Sequence, residues 1–213
     1  MLHLFPHWNL ECEAGANIDL WCYTNCAEVE LWLNGKSQGR LKRAPYRKLQ
    51  WEVPYTQGTL EAVGYDSAGQ ETIRTSIETT GAATKLRIIK AHSNTEADGS
   101  TVAILNVSAC DSAGRSVPTA KNMLDFEIDG AATLLGVGNG NPTSHEPEQA
   151  SYRQLFNGYA QLIVRTHGQS GTVSIRAHAK KLESASHRIE VPKAITLAQS
   201  IGASTVQSTD IKK

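Results

Sequence analysis

The sequence predicts an all-β protein built from two tandem β-sandwiches. Apolar side chains alternate with polar ones along many short segments, which is the periodicity of a strand with one buried face. Gly, Asn, Asp and Pro separate these segments, as they do at turns between strands. The chain of 213 residues is long for one sandwich and ample for two, because domains usually hold about 100 to 150 residues.

A hairpin around Asn34-Gly35 is the clearest single element. Val29, Leu31 and Leu33 form one apolar face of the strand that leads into it. Asn34 and Gly35 both tolerate positive φ, which a type I′ turn requires at its two central positions. We therefore expect the chain to turn straight back into a second strand.

The remaining strands of the first sandwich show the same alternation. We expect one strand around Leu20 and another around Trp51, with both side chains in the core. A second hairpin follows, in which the turn residues 66–69 join the segments 59–65 and 70–79.

The segment Thr79–Ala83 is small, polar and uncharged, and a new strand pattern begins directly after it. We therefore predict one sandwich over residues 1–80 and a second over residues 81–192. Residues 193–213 are rich in Ser, Thr, Ala and Gln, and we expect them to form a flexible tail.

The second sandwich is expected to contain a long irregular stretch, residues 138–157, between its strands. Loops longer than about a dozen residues are usually functional or mobile. Apolar residues at alternate positions mark the strands themselves: Leu86, Leu105, Phe126, Val137, Leu162, Ile175 and Ile189.

Composition excludes several classes of function. The 21 basic residues balance the 21 acidic ones, so we predict no nucleic-acid partner. No apolar run approaches the roughly 20 residues that cross a bilayer, so no membrane span is expected. The four cysteines lack the spacing of a disulfide framework and are expected to be free, mostly buried thiols. The basic run over residues 36–48 is expected to lie on a solvated edge strand.

Aromatic and amide side chains are the candidates for binding. Trp21 and Trp32 lie opposite the expected core face of their strands. They suit either stacking on sugar rings or burial between domains, and we favour the second. In the long irregular stretch, Asn139, Asn141 and His145 are further candidates for binding carbohydrate.

No metal site or cofactor is predicted. The seven histidines are scattered along the chain, and His145 with Glu146 and Glu148 is too small a cluster to indicate a metal. The glycine-rich segment 136–140 is followed neither by a helix pattern nor by a Lys-Ser/Thr pair. It is therefore expected to be a turn rather than a phosphate-binding loop.

Two motifs resemble the family 2 glycoside hydrolases of the β-galactosidase type. The segments Phe5–Asn9 and Tyr23–Gly39 are similar to the immunoglobulin-like module that follows the catalytic barrel in bacterial members. Leu10, Trp32 and Gln38 stand where that family usually has Trp, Phe and Leu. The resemblance implies that the first sandwich is immunoglobulin-like.

The resemblance continues into the second half of the chain. Residues 81–191 are similar to the next immunoglobulin-like module of the same enzymes, although Asn141 replaces a usual Asp. The matching signals are Thr79-Thr80-Gly81, Ala97-Asp98-Gly99, the run from Asp111 to Pro118, the run from Gly136 to Pro142, and Phe156-Asn157-Gly158. The expected fold is thus two tandem immunoglobulin-like β-sandwiches.

No catalytic residue is assigned in this chain. A retaining glycosidase needs two carboxyl groups about 5 to 5.5 Å apart, and in this family they are glutamates at barrel strand ends beside a characteristic Asn-Glu pair. No Asn-Glu pair occurs here. The closest carboxylate pairs are Glu28 with Glu30, expected to face solvent, and Glu146 with Glu148, expected to lie in a loop.

The leading hypothesis is a non-catalytic C-terminal region of a β-galactosidase-like glycoside hydrolase. It would brace the catalytic barrel of the same polypeptide and support domain or subunit contacts, including those of a homo-oligomer. His7, Trp8 and Asn9 are the candidates for contact with the barrel. Two alternatives remain open, a carbohydrate-binding module and a cell-surface spacer, and the sequence leaves the compartment undetermined.

Overall fold

A computed structural model of the chain describes residues 1–95 and 100–191. Every regular element in these ranges is a β strand. Within the same ranges, no helix has the length and apolar character needed to cross a membrane. The tail expected over residues 193–213 lies outside the described residues.

The chain forms two compact units. The first consists of Met1–Ala82 together with Arg115–Thr119. The second consists of the described residues within Ala83–Gly114 and from Ala120 to Val191. Each unit is described separately below.

The first unit is a sandwich of a three-stranded and a four-stranded antiparallel sheet. The three-stranded sheet has the order β1-β2-β5, and the four-stranded sheet has the order β4-β3-β6-β7. The strands of the first unit are β1 (Leu2–Phe5), β2 (Asn17–Thr24), β3 (Glu28–Leu33), β4 (Lys36–Lys42), β5 (Leu49–Pro54), β6 (Thr59–Tyr65) and β7 (Glu71–Glu78). This is the all-β architecture that the alternation predicts.

The core of the first unit is built from the inward side chains of both sheets. Residues buried without any exposed area include Leu20, Val29, Leu31, Val53 and Leu60. Burying one such side chain contributes about 1.5 to 3 kcal/mol.

The predicted hairpin is present between β3 and β4. Asn34 has φ 50° and Gly35 has φ 78°, the positive pair that a type I′ turn needs. The Asn34 side chain also reaches the turn before β6, where its Nδ2 donates to the Gln57 carbonyl at 3.0 Å and its Oδ1 accepts from the Thr59 amide at 2.8 Å. This amide therefore joins two neighbouring turns.

The strand after the hairpin lies at a sheet edge, as the basic run predicted. β4 has only β3 as a neighbour in the four-stranded sheet. Lys36 and Lys42 are exposed on β4, and Arg40 pairs with Glu28 at 2.7 Å. Charged residues are a common protection for an exposed strand edge.

The second unit contains eight strands in the order β11-β13-β9-β8-β15-β14-β10-β12. Neighbouring strands are antiparallel except β15 and β8, which share a parallel bridge at Glu183 and Lys85. The strands are β8 (Lys85–Thr95), β9 (Thr101–Cys110), β10 (Met123–Asp129), β11 (Ala132–Gly138), β12 (Tyr152–Gln154), β13 (Tyr159–Thr166), β14 (Gly171–Ala179) and β15 (Leu182–Val191). Leu105, Leu124, Leu162 and Ile175 are fully buried in its core.

The long stretch over residues 138–157 is more ordered than the sequence predicts. It includes β12, which pairs with β10 in the register Leu124 to Arg153. The sequence does not reveal β12 because a strand of three residues is too short to show a period.

The cysteines are free thiols, as predicted. Cys22, Cys26 and Cys110 are buried, and Cys12 is exposed. Burial raises the pKa of the Cys22 thiol to about 11. Because the thiolate is the reactive form, this burial makes Cys22 unreactive.

Gly58 is expected to be the least replaceable turn glycine of the first unit. It has φ 137°, and a Cβ added there would overlap the Asn34 amide. Gly69 has φ 80°, and its Cβ would meet nothing within 4 Å. Gly69→Ala should therefore cost only the strain of a left-handed alanine, about 1 to 2 kcal/mol.

Gly58→Ala should cost about 1 to 2 kcal/mol more than that, because it also displaces the two Asn34 hydrogen bonds. Urea denaturation of both variants measures the difference in the free energy of unfolding. If Gly58→Ala and Gly69→Ala lower the free energy of unfolding equally, the two Asn34 hydrogen bonds contribute nothing to stability.

Candidate functional site

The segment that was expected to touch a barrel packs largely into the first unit. Trp8 is fully buried, and its ring meets the Tyr55 ring edge-on at a centroid distance of 5.0 Å. Its Nε1 donates to the Thr56 carbonyl at 2.8 Å. The Trp8 side chain is therefore part of the core of the first unit, and contact of this segment with a barrel stays a prediction.

Asn9 fastens the same segment to the chain that follows β7. Its Nδ2 donates to Thr80 Oγ1 at 2.8 Å, and its Oδ1 accepts from the Thr80 amide at 2.9 Å. The Thr79 hydroxyl donates to the Trp8 carbonyl at 2.8 Å. Of the three candidates His7, Trp8 and Asn9, His7 is the one with an exposed side chain.

Aromatic rings cover the outer surface of the β1-β2-β5 sheet. Phe5, Trp21 and Tyr23 are 42%, 38% and 44% exposed. Phe5 lies edge-on to Tyr23 at 5.7 Å and edge-on to His3 at 4.4 Å. We refer to His3, Phe5, Trp21 and Tyr23 as the aromatic face.

Polar groups border the aromatic face. The face contains an open depression of about 480 Å³, lined in part by Phe5, Trp21 and the Asp19 side chain. Gln50 donates to Asp19 at 3.0 Å, and the Lys48 ammonium lies 2.7 Å from the centre of the Trp21 ring. The ammonium is attracted by the negatively polarised face of the Trp21 ring.

The structure does not bring Trp21 and Trp32 together. Both point away from the core, as the alternation predicts. Trp32, however, lies on the outer surface of the β4-β3-β6-β7 sheet, where it is half-buried opposite Ser37 and Glu61. The two rings are on outer surfaces of different sheets and cannot stack on one sugar.

The polar atoms of Asn139 and Asn141 are used inside the loop. Asn139 Nδ2 donates to the Gln154 carbonyl at 2.9 Å, and its Oδ1 accepts from the Asn141 amide at 3.0 Å. Asn141 Oδ1 accepts from the amide and the hydroxyl of Thr143, at 3.0 and 2.9 Å. Both side chains thus shape the loop, whereas His145 is exposed.

Arg153 holds this loop in place and was not anticipated from the sequence. Its guanidinium is buried, with Nη1 donating to the Glu146 carbonyl at 3.0 Å and Nη2 to Asn139 Oδ1 at 3.3 Å. Its Nε lies 3.5 Å from Glu146 Oε2. Because the sequence does not reveal β12, it gives no signal for this inward arginine.

A second depression, of about 440 Å³, lies beside the start of β13. Its lining includes Asn106, Tyr159, Gln161 and the segment Gly138–Gly140. Gln161 Nε2 donates to Asn106 Oδ1 at 2.8 Å, and Tyr159 is 47% exposed. We call this site the amide-lined depression.

Comparison with known proteins identifies the relationship. Residues 86–188 match the family model described as glycoside hydrolase family 2 C-terminal domain 5. Residues 15–73 match a domain of unknown function, DUF4982. The chain belongs to the C-terminal region of family 2 glycoside hydrolases.

Three relatives show how much of a family 2 enzyme this region represents. The chain is 36% identical over 188 residues to the β-galactosidase BoGH2A of Bacteroides ovatus, covering 87% of this chain and 22% of the relative. It is 34% identical over 185 residues to a β-glucuronidase of Formosa agariphila, covering 83% and 18%. A crystal structure of a family 2 member from Bacteroides cellulosilyticus matches with a TM-score of 0.78 at 36% identity, covering 86% and 25%. The chain therefore spans about a quarter or less of each relative.

Three of the four glutamates that form the closest carboxylate pairs in the sequence have structural partners here. Glu28 pairs with Arg40 at 2.7 Å, and Glu30 accepts from Ser37 at 2.7 Å. Glu146 lies against Arg153. Among residues 1–95 and 100–191, no group of three or more His, Cys, Asp or Glu side chains is arranged to hold a metal.

Arg153→Ala should loosen the loop of the second unit. Charge-assisted hydrogen bonds contribute about 1.5 to 3 kcal/mol each, and partial exposure of Glu146 places the expected loss near the lower end, about 2 kcal/mol. Cleavage after Glu148 by a glutamate-specific protease should become faster in this variant.

Arg165→Ala is the matched control because Arg165 is exposed on β13, a strand that does not pair with β12. It should change the free energy of unfolding by no more than about 0.5 kcal/mol. Equal protease resistance of the native chain and Arg153→Ala would contradict an anchoring role.

Proposed function

We propose that this chain is a non-catalytic accessory region of a family 2 glycoside hydrolase and that it braces the catalytic barrel of the same polypeptide. The observation that carries the proposal is the aromatic face. Three large rings stand exposed on one sheet surface, bordered by polar groups. An apolar centre with a polar rim is the usual anatomy of a protein interface.

The partner is the remainder of the parent enzyme. The relatives contain at least three times as much additional chain as this region provides. Aromatic residues are enriched among those that dominate interface energies. Burial of the aromatic face would also remove from water a set of rings that an isolated domain rarely exposes together.

The relatives support a proposal for the substrate class of the parent enzyme. One relative is a β-galactosidase and another is a β-glucuronidase, so we propose a β-linked galactoside or glucuronide as substrate. The two catalytic carboxyl groups of a retaining mechanism would be supplied by the barrel. The role of this chain is then to position and stabilise the barrel, and to support contacts between subunits.

The double substitution Trp21→Thr with Tyr23→Thr tests this role. Threonine keeps a high strand propensity, so the folded sandwich should persist. In the 213-residue chain the melting temperature should change little, because both rings are already exposed. In the polypeptide that includes the upstream barrel, the loss of two buried interface rings should cost about 2 kcal/mol or more.

Trp32→Thr is the control, since Trp32 lies on the outer surface of the other sheet. It should affect both polypeptides equally. Equal effects of the double substitution on both polypeptides would overturn docking through the aromatic face. Sustained hydrolysis of a chromogenic galactoside or glucuronide by the 213-residue chain, or a reading frame without an upstream barrel, would overturn the accessory role.

A further inference from the structure

We infer that the amide-lined depression of the second unit is a binding site for one neutral sugar residue of a glycan. It is on a different unit from the aromatic face, and its argument does not depend on docking to a barrel. The residues concerned are Asn106 on β9, Tyr159 and Gln161 on β13, and the segment Gly138–Gly140 at the end of β11. The volume of about 440 Å³ lies within the range of about 300 to 1,000 Å³ that small-molecule sites occupy.

Tyr159 supplies the aromatic ring that lines the depression. It follows the two-residue turn Asn157-Gly158, whose φ values are 50° and 80°. The backbones of Phe156 and Tyr159 exchange two hydrogen bonds across this turn, at 2.9 and 3.0 Å. These bonds fix the backbone from which the half-exposed Tyr159 ring projects, and that ring can stack on the apolar face of a pyranose.

The amide pair supplies directional hydrogen bonding. The bond from Gln161 Nε2 to Asn106 Oδ1, at 2.8 Å, orients both side chains. It leaves the side-chain NH2 group of Asn106 available as a donor and the side-chain carbonyl oxygen of Gln161 available as an acceptor. Neighbouring sugar hydroxyls each donate and accept, so an adjacent donor and acceptor match them.

The wall formed by Gly138–Gly140 leaves room for the ligand. A Cβ added at Gly138 or at Gly140 would meet nothing within 4 Å. The backbone there can therefore be approached closely, while Arg153 holds the intervening Asn139 at 3.3 Å. The glycines thus keep open a space that the loop around them makes rigid.

The absence of charge in this lining selects the class of sugar. The described residues that line the depression are amides, glycines, an alanine and a tyrosine. A uronic acid would lose hydration of its carboxylate without gaining a cationic partner. The site therefore suits a neutral hexose or pentose and disfavours a uronate.

Titration of the ¹⁵N-labelled 213-residue chain with saccharides tests the inference. The probes are neutral tetrasaccharides of β-linked galactose, glucose, mannose and xylose, together with a tetrasaccharide of galacturonic acid. At least one neutral probe should shift the amide signals of residues 106, 138–140 and 159–161, with a Kd on the order of 1 mM. The galacturonate should bind at least tenfold more weakly.

Two variants separate a sugar site from a general effect on folding. Tyr159→Ala should weaken binding about tenfold, the value of one aromatic stacking contact. Gly138→Val should block the depression, while its folding should be preserved because position 138 is a strand residue with open space at its Cβ. Thr172→Val is the control and should bind as the native chain does, because Thr172 is exposed on β14, which three strands separate from β13 in the sheet.

Three outcomes would overturn the inference. They are no shift with any probe at 10-fold the expected Kd, equal binding of the galacturonate, and shifts confined to the aromatic face. Native-like binding by Gly138→Val with a native spectrum would also place the sugar elsewhere. The melting temperatures of the Trp21→Thr/Tyr23→Thr variants do not depend on whether this depression binds sugar. The sugar site and the docking of the aromatic face can therefore fail independently.

Discussion

A strand can bury only one of its two faces in a sandwich, and this constraint determines where each candidate side chain on a strand lies. Trp51 falls on an inward position of β5 and is buried, whereas Trp21 falls on an outward position of its neighbour β2 and is exposed. A shift of one residue in pairing would exchange the two faces. The pairing register of β2 and β5 therefore fixes both which side chains form the core and which form the aromatic face.

The features that the sequence predicts are those that depend on local chemistry. The strand alternation around Leu31 and the Asn34-Gly35 turn need only the preferences of neighbouring residues. The outward position of Trp21 follows from the same period. Family resemblance then supplied the immunoglobulin-like arrangement, which periodicity alone does not distinguish from other sandwiches.

The features that the sequence does not reveal depend on pairing between distant segments. Trp8 lies in an irregular segment without a period, so its burial against Tyr55 could not be read from its neighbours. Asn106 and Gln161 are 55 residues apart, and only the register of β9 and β13 places them together. The partners that Arg153 finds in the loop were hidden for the same reason.

The lysines of β4 bear on how the parent enzyme could assemble. Among the described residues β4 pairs with β3 alone, so its other side is a sheet edge where another strand could pair, although the Gly39 carbonyl already accepts from Trp51 Nε1 at 3.2 Å. A second copy that aligned its own β4 there would bring Lys36 and Lys42 of both copies into one narrow seam. Like charges would oppose the growth of a continuous intermolecular sheet, so self-association through this edge is disfavoured and a homo-oligomer would use other surfaces.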